Sequence, residues 1–163
     1  MKTKQFIANI SLWLAFTVLA LVTGANCYQH RVLIPIWTSD IPNGMINFCK
    51  MGIDVGRFWM FPPTHSFIFF LIIAIITNRH NQRRNWLLVV AACFVTGMIV
   101  WKFYYYPRLE IMGLIDGHPS TDMVLLSKSI KEWVLVDELR LLFMYFPCFF
   151  ILLKAISIPY SKT

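Results

Sequence analysis

Apolar residues fall in four long runs along this chain, separated by segments where charges, prolines and glycines return. The runs cover about residues 6–27, 62–78, 86–106 and 133–156. About twenty helical residues cross roughly 30 Å of hydrocarbon, so the pattern predicts four spanning helices. The segment 28–61 differs: His30, Arg31, Asp40, Asn43, Asn47, Lys50, Asp54 and Arg57 are spread among Pro35, Pro42 and Gly44, which are expected to break any long helix. Trp37, Ile46, Phe48, Phe58 and Trp59 are interleaved there, which predicts a folded outer cap rather than a linker. Pro62 and Pro63 suit the first turn of the second helix. The turn from Arg79 to Asn85 is short and basic, and a loop with Gly113 and Gly117 as breakers follows the third run. Ser120 or Thr121 is the expected N-cap, with Asp122 in the first turn, of an amphipathic helix over 120–132 that leads into the fourth run. Pro147 is expected to kink that last helix. The fold class is therefore all-α: one membrane domain over residues 1–163, an integral four-helix bundle with a long folded extracytoplasmic loop between helices 1 and 2.

Composition supports a membrane chain. Of 163 residues, 58% are hydrophobic and 14% charged, far from soluble usage. The net charge of +7 does not point to nucleic acid, because the basic residues gather at the ends of apolar runs and form no stripe with exposed aromatics. The first run exceeds a signal peptide's apolar core, and Thr23-Gly24-Ala25 is a weak cleavage site, so an uncleaved helix is expected. With four spans, Lys2, Lys4, Arg79, Arg83, Arg84, Lys154 and Lys162 share one side with no carboxylate. That side is expected to be cytoplasmic and to hold both termini. Helical spans exclude an outer-membrane barrel, which leaves a bacterial inner membrane as the expected location and the lipid bilayer as the expected partner.

Candidate chemistry lies at the opposite end. Trp133, Asp137 and Arg140 stand at i, i+4 and i+7, on one helical face at membrane depth, where ionisable residues are expensive. The topology brings Asn26 and His30, His65, Trp101 and Lys102, and Asp137, Glu138 and Arg140 to one level, forming a polar cup open to the outside. Below it Phe67, Phe69, Phe70, Phe94, Met98, Phe143 and Phe146 are available to fill the centre. Each feature also has a structural explanation. Asp137 and Arg140 have helical ion-pair spacing, Trp101 and Trp133 suit an interfacial aromatic belt, and His65 beside two prolines can bond a freed carbonyl. Cys27 and Cys49 could pair on the outside, whereas Cys93 and Cys148 fall in the spans as small apolar residues.

The chain resembles the small four-helix membrane proteins grouped around the anthrone oxygenases. The resemblance rests on Pro35 and Trp37 after the first span, Gly56 leading to Pro62 or Pro63, a Thr96 to Pro107 segment closing the third span, and Trp133 with Arg140 opening the fourth. Two features depart from that pattern: Asp137 replaces the more usual amide, and Tyr106-Pro107-Arg108-Leu109 lacks the Asn expected two residues after the proline. The resemblance implies an oxidoreductase or oxygenase acting on a lipophilic aromatic or quinone-like molecule.

The residues support such chemistry in part. Arg140 can hold an anion or a developing phenolate. Asp137 is either a general base or the neutralising partner of Arg140. His65 and His30 are candidate bases or ligands for copper or iron, although no HExxH, no two-His i, i+4 signature and no facial-triad spacing occurs, so the cofactor stays open. Trp133, Asn26, Trp101 and Lys102 are candidate substrate contacts around the catalytic set Arg140, Asp137 and His65. The alternative is a non-catalytic accessory or binding subunit whose outer loop docks a partner. A transporter fits least, for want of a broken helix pair or inverted repeat.

Overall fold

A computed structural model describes residues 2–41, 43–50, 63–105 and 122–160 of the chain. Among these the architecture is all-helical, built from four helical rods. The first rod is α1 (Lys2–Tyr28), a π-helical turn (Gln29–Leu33) and α2 (Ile34–Thr38), followed by the short α3 (Asn43–Lys50). The second is α4 (Pro63–Asn78) and the third α5 (Gln82–Tyr105). The fourth is α6 (Met123–Arg140), a second π-helical turn (Leu141–Tyr145) and α7 (Phe146–Ser157). Three stretches, Thr3–Thr38, Gln82–Tyr105 and Met123–Ser157, are long and apolar enough to cross a membrane, while the apolar helix His65–Asn78 is shorter.

The first rod does not stop at Pro35. Proline lacks an N–H and its ring clashes with the carbonyl four residues back. Here the preceding turn is widened, and the N–H of Ile34 bonds the carbonyl of Gln29, five residues back. The same device precedes Pro147, where the N–H of Phe146 bonds the carbonyl of Leu141. Each π-helical turn thus ends two residues before a proline, and the helix continues beyond it. Residues 28–38, expected in a cap, are therefore helix, and the rest of that expected cap beyond Lys50 lies outside the described residues.

The N-cap of α6 is Asp122 itself, whose carboxylate accepts from the N–H groups of Val124 (2.9 Å) and Leu125 (3.0 Å). Ser120 and Thr121 lie outside the described residues.

The main core joins α1, α4, α5 and α7 around Leu12, Leu19, Phe67, Leu71, Leu88 and Leu152. Its closest contacts use small residues: Ala8, Ala15, Ala74, Ala91 and Ala155 are fully buried, which lets the backbones approach. Phe67 and Met98 are buried in this core, but Phe69 and Phe143 face outward. The exterior is apolar as well, with Trp13, Leu21, Ile76, Trp86, Phe103 and Phe150 exposed, a surface compatible with contact to lipid. A second, smaller core joins α2 to α6: Ile34, Trp37, Leu126, Ile130 and Trp133 are buried together, with the two indoles stacked at 6.3 Å between centroids. Gly44 of α3 packs against α2 so closely that a Cβ there would overlap the Trp37 carbonyl oxygen.

At the opposite end Arg84 is only 4% exposed. Its guanidinium donates to the Ile158 carbonyl (2.6 Å), to Asn9 Oδ1 (2.7 Å) and to Asn78 Oδ1 (3.3 Å). It sits where α4 and α7 end, and helix C-termini carry partial negative charge, so the cation is held by two helix dipoles and neutral acceptors. Asn78 in turn donates to the carbonyls of Ala8 and Ala74, and Asn81 donates to the Pro159 carbonyl. One arginine ties three rods and the C-terminal segment together.

Candidate functional site between the two cores

Between the main core and the outer core lies a polar layer. On the first rod, Thr23, Asn26 and Gln29 are buried and His30 nearly so; on the fourth, Asp137 is 1% exposed. The position of the layer follows from the wide turns. In a regular helix the inward face alternates steps of three and four residues, but a π-helical turn adds a residue. His30 lies in one such turn and Arg140 immediately before the other, so both polar side chains meet across the rods. π-Helical turns occur frequently at functional sites.

The central contact is His30 Nε2 to Asp137 Oδ2 at 2.9 Å. The other oxygen of Asp137, Oδ1, accepts from Arg140. The guanidinium carbon of Arg140 also stands 5.6 Å from the centre of the Tyr145 ring, a cation–π distance. Asn26 donates to the Val22 carbonyl at 3.0 Å, and its side chain faces the Tyr145 hydroxyl. An ionised Asp137 requires the facing Nε2 of His30 to carry a proton, which leaves Nδ1 as the acceptor of a neutral imidazole. Moving charge out of water costs several kcal/mol per ion, so neither Asp137 nor Arg140 would be tolerated here without the other.

Helix register fixes which residues share this level. Cys148 Sγ lies 3.8 Å from the Ala91 carbonyl, and a Cβ on Gly97 would touch Met144, so α5 runs antiparallel to the fourth rod. One turn past Gly97, Trp101 is level with Arg140, one turn before Met144. At the outer end of α5, Tyr105 donates to Glu132 at 2.5 Å. The α4 helix is antiparallel to α1, with Asn78 bonded to the Ala8 carbonyl. Its first residue, Pro63, is as far from Asn78 as Thr23 is from Ala8, so α4 begins opposite Thr23. Among the described residues the layer is therefore walled by α1, α5 and the fourth rod, beyond the start of α4.

No protein-family model, no characterised protein and no solved structure matches this chain. The site has to be judged on its own geometry.

Of the residues singled out in the sequence, Asp137, Arg140 and Asn26 lie together in the layer, and Trp101 is level with them. The imidazole that meets Asp137 is that of His30, whereas the His65 side chain is exposed on the first turns of α4. Trp133 is not part of an exterior belt: it is buried against Trp37, on the outer side of the layer. The Lys102 side chain lies outside the described residues, as do Gly56, Pro62 and Pro107. Glu138 is exposed, away from the site. Cys27 is a free thiol, and the Cys49 side chain lies outside the described residues. Among the described residues no three His, Cys, Asp or Glu side chains converge as a metal site. Sequence reasoning missed Tyr145 and Thr23; the signal for both was a polar atom at an inward position of an apolar helix.

Proposed function

We propose that this chain is a small integral membrane protein that binds a lipophilic phenol or quinone-like molecule in the polar layer and exchanges a proton with it there, as an oxidoreductase or oxygenase. The observation that carries the proposal is the buried His30–Asp137–Arg140 cluster, set between two apolar cores. Ala8, at the level of the Arg84 knot, and Asn26 are separated by about 27 Å of helix at 1.5 Å per residue. That separation is close to the roughly 30 Å of a hydrocarbon core. With the basic end placed in the cytoplasm, by the distribution of Lys and Arg, the cluster reaches the outer headgroup level of an inner membrane. An amphiphile with an apolar body and an oxygenated head partitions to that depth.

Oxidation of a phenol or hydroquinone starts with loss of its hydroxyl proton. Neutral His30, oriented by Asp137, is the base for that step, and Arg140 stabilises the resulting oxyanion. Asp137 is then a positioning residue rather than the base. The resemblance to the anthrone oxygenases agrees with this chemistry and supplies the substrate class.

The test is dioxygen consumption by the protein in lipid nanodiscs with anthrone or 1,4-dihydroxynaphthalene. The parent is expected to exceed the protein-free rate, and His30→Asn to lose about 100-fold or more of that excess, the usual contribution of a positioned base. Equal rates for parent and variant would overturn the proposal. A second reading, a non-catalytic accessory subunit, draws support from Asp137 being bonded on both oxygens, since such a cluster also serves to pin two helices. It predicts loss of stability in His30→Asn with no excess oxidation by the parent.

A further inference from the structure

Hydroxyl groups on apolar helices ordinarily bond their own backbone. Thr38, Thr77 and Thr96 each donate to the carbonyl four residues back, at 2.8, 2.7 and 2.9 Å. Thr23 does not. It is only 5% exposed, and its hydroxyl oxygen has no hydrogen-bond partner among the described residues. The indole Nε1 of Trp101 is likewise buried without a partner among the described residues. A buried donor left unbonded costs about 1–3 kcal/mol, so two of them near one level call for an acceptor.

Their placement narrows what that acceptor is. Thr23 belongs to the first rod and Trp101 to the third, which are diagonal in the ring formed by α1, α4, α5 and α7. Thr23 lies opposite the first residue of α4, and Trp101 is level with Arg140, so both stand at the inner edge of the His30–Asp137–Arg140 layer. Their surroundings are apolar: Val22, Met98 and Leu141 are buried nearby in sequence on the same three rods. Both groups can donate, and neither is charged. They suit a neutral acceptor on an apolar body better than an anion.

We propose that Thr23 and Trp101 form the acceptor-binding half of the ligand site, donating hydrogen bonds to a carbonyl oxygen of a quinone-like molecule. The inference rests on the proposed function in one respect, that the layer takes a lipophilic oxygen-bearing ligand. It adds a second recognition element on the far side from His30. A ligand with two oxygens across an aromatic ring would then be read at both ends, one by the ionisable cluster and one by neutral donors. This favours 1,4-diones over singly oxygenated rings.

The test is equilibrium binding of menadione, a 1,4-naphthoquinone, to the full chain in nanodiscs, with empty discs subtracted. The comparison ligand is 2-methylnaphthalene, which has the same ring system and no carbonyl. Trp101→Phe removes the N–H and keeps an aromatic ring, and Thr23→Val removes the hydroxyl at constant shape; near-UV circular dichroism checks that both fold. Each variant is expected to weaken menadione about five- to tenfold, and neither to alter 2-methylnaphthalene. Unchanged menadione affinity in both variants overturns the inference, as does an equal loss for the two ligands, which would signify packing. Absence of menadione binding to the parent also overturns it. The proposed function is judged separately by the His30→Asn oxidation rate, so either can fail without the other.

Discussion

Replacing Asp137 by Asn tests whether the polar layer is held by charge. The side chain keeps its shape and one acceptor oxygen but no longer neutralises Arg140, whose side chain is 12% exposed. Removing one partner of a buried ion pair costs about 3–5 kcal/mol, because the remaining charge stays out of water. The Tyr145 ring still faces the guanidinium, and such contacts are worth about 0.5–1 kcal/mol, so the lower end of the range, about 3 kcal/mol, is expected. Arg140→Gln should cost about as much, since it leaves the Asp137 carboxylate with His30 alone. The double variant removes both charges, and it should be more stable than the two single losses predict by about 2 kcal/mol. The assay is equilibrium unfolding in mixed micelles with increasing SDS mole fraction, followed by tryptophan fluorescence. The stacked Trp37 and Trp133 report directly on the outer core next to the pair. Strict additivity, within about 0.5 kcal/mol, would refute the view that the two side chains are energetically coupled in a buried layer.

Other consequences are testable by the same unfolding assay. Arg84→Lys keeps the charge but gives up the fork that reaches three acceptors on different segments, and should destabilise by about 2 kcal/mol. Gly44→Ala should force α3 away from the Trp37 carbonyl and cost about 1–3 kcal/mol, read also as faster proteolysis after residue 38. Ala91→Leu should separate α5 from α7 where Cys148 approaches the backbone, lowering stability by about 1–3 kcal/mol, whereas the outward Val100→Leu should be nearly neutral.

Hydropathy made the three long helices legible, because a run of twenty apolar residues leaves few alternatives. The start of α4 was legible too, since proline is suited to a first turn. Continuity through Pro35 was not. A rule that treats proline as a helix breaker cannot see that an added residue before it removes the clash. That same residue decides which imidazole reaches Asp137. His65 looked suitable by its place in the topology, but His30 is brought inward by the phase of the first rod after Asn26. Arg84 was read as one more topological charge beside Arg79 and Arg83, which are exposed. Its burial depends on two helix ends that converge from distant parts of the sequence. The fully buried alanines carried a packing signal that average hydropathy dilutes, because alanine scores weakly whether it faces lipid or another backbone.

The paired wide turns have a consequence for how this chain can vary in length. Each advances the backbone by one residue without an equivalent advance of the inward face, so the segments before and after it are separately phased. Deleting Val32 from the first, or Leu142 from the second, would let an ordinary helix re-form and swing everything beyond it by about 100° around the axis. Trp37 would then leave Trp133, although neither residue had been touched and the lower bundle remained intact. Insertions and deletions are therefore least tolerable not in the buried alanine seam but at two outwardly unremarked turns, where a single residue sets the mutual aim of the halves.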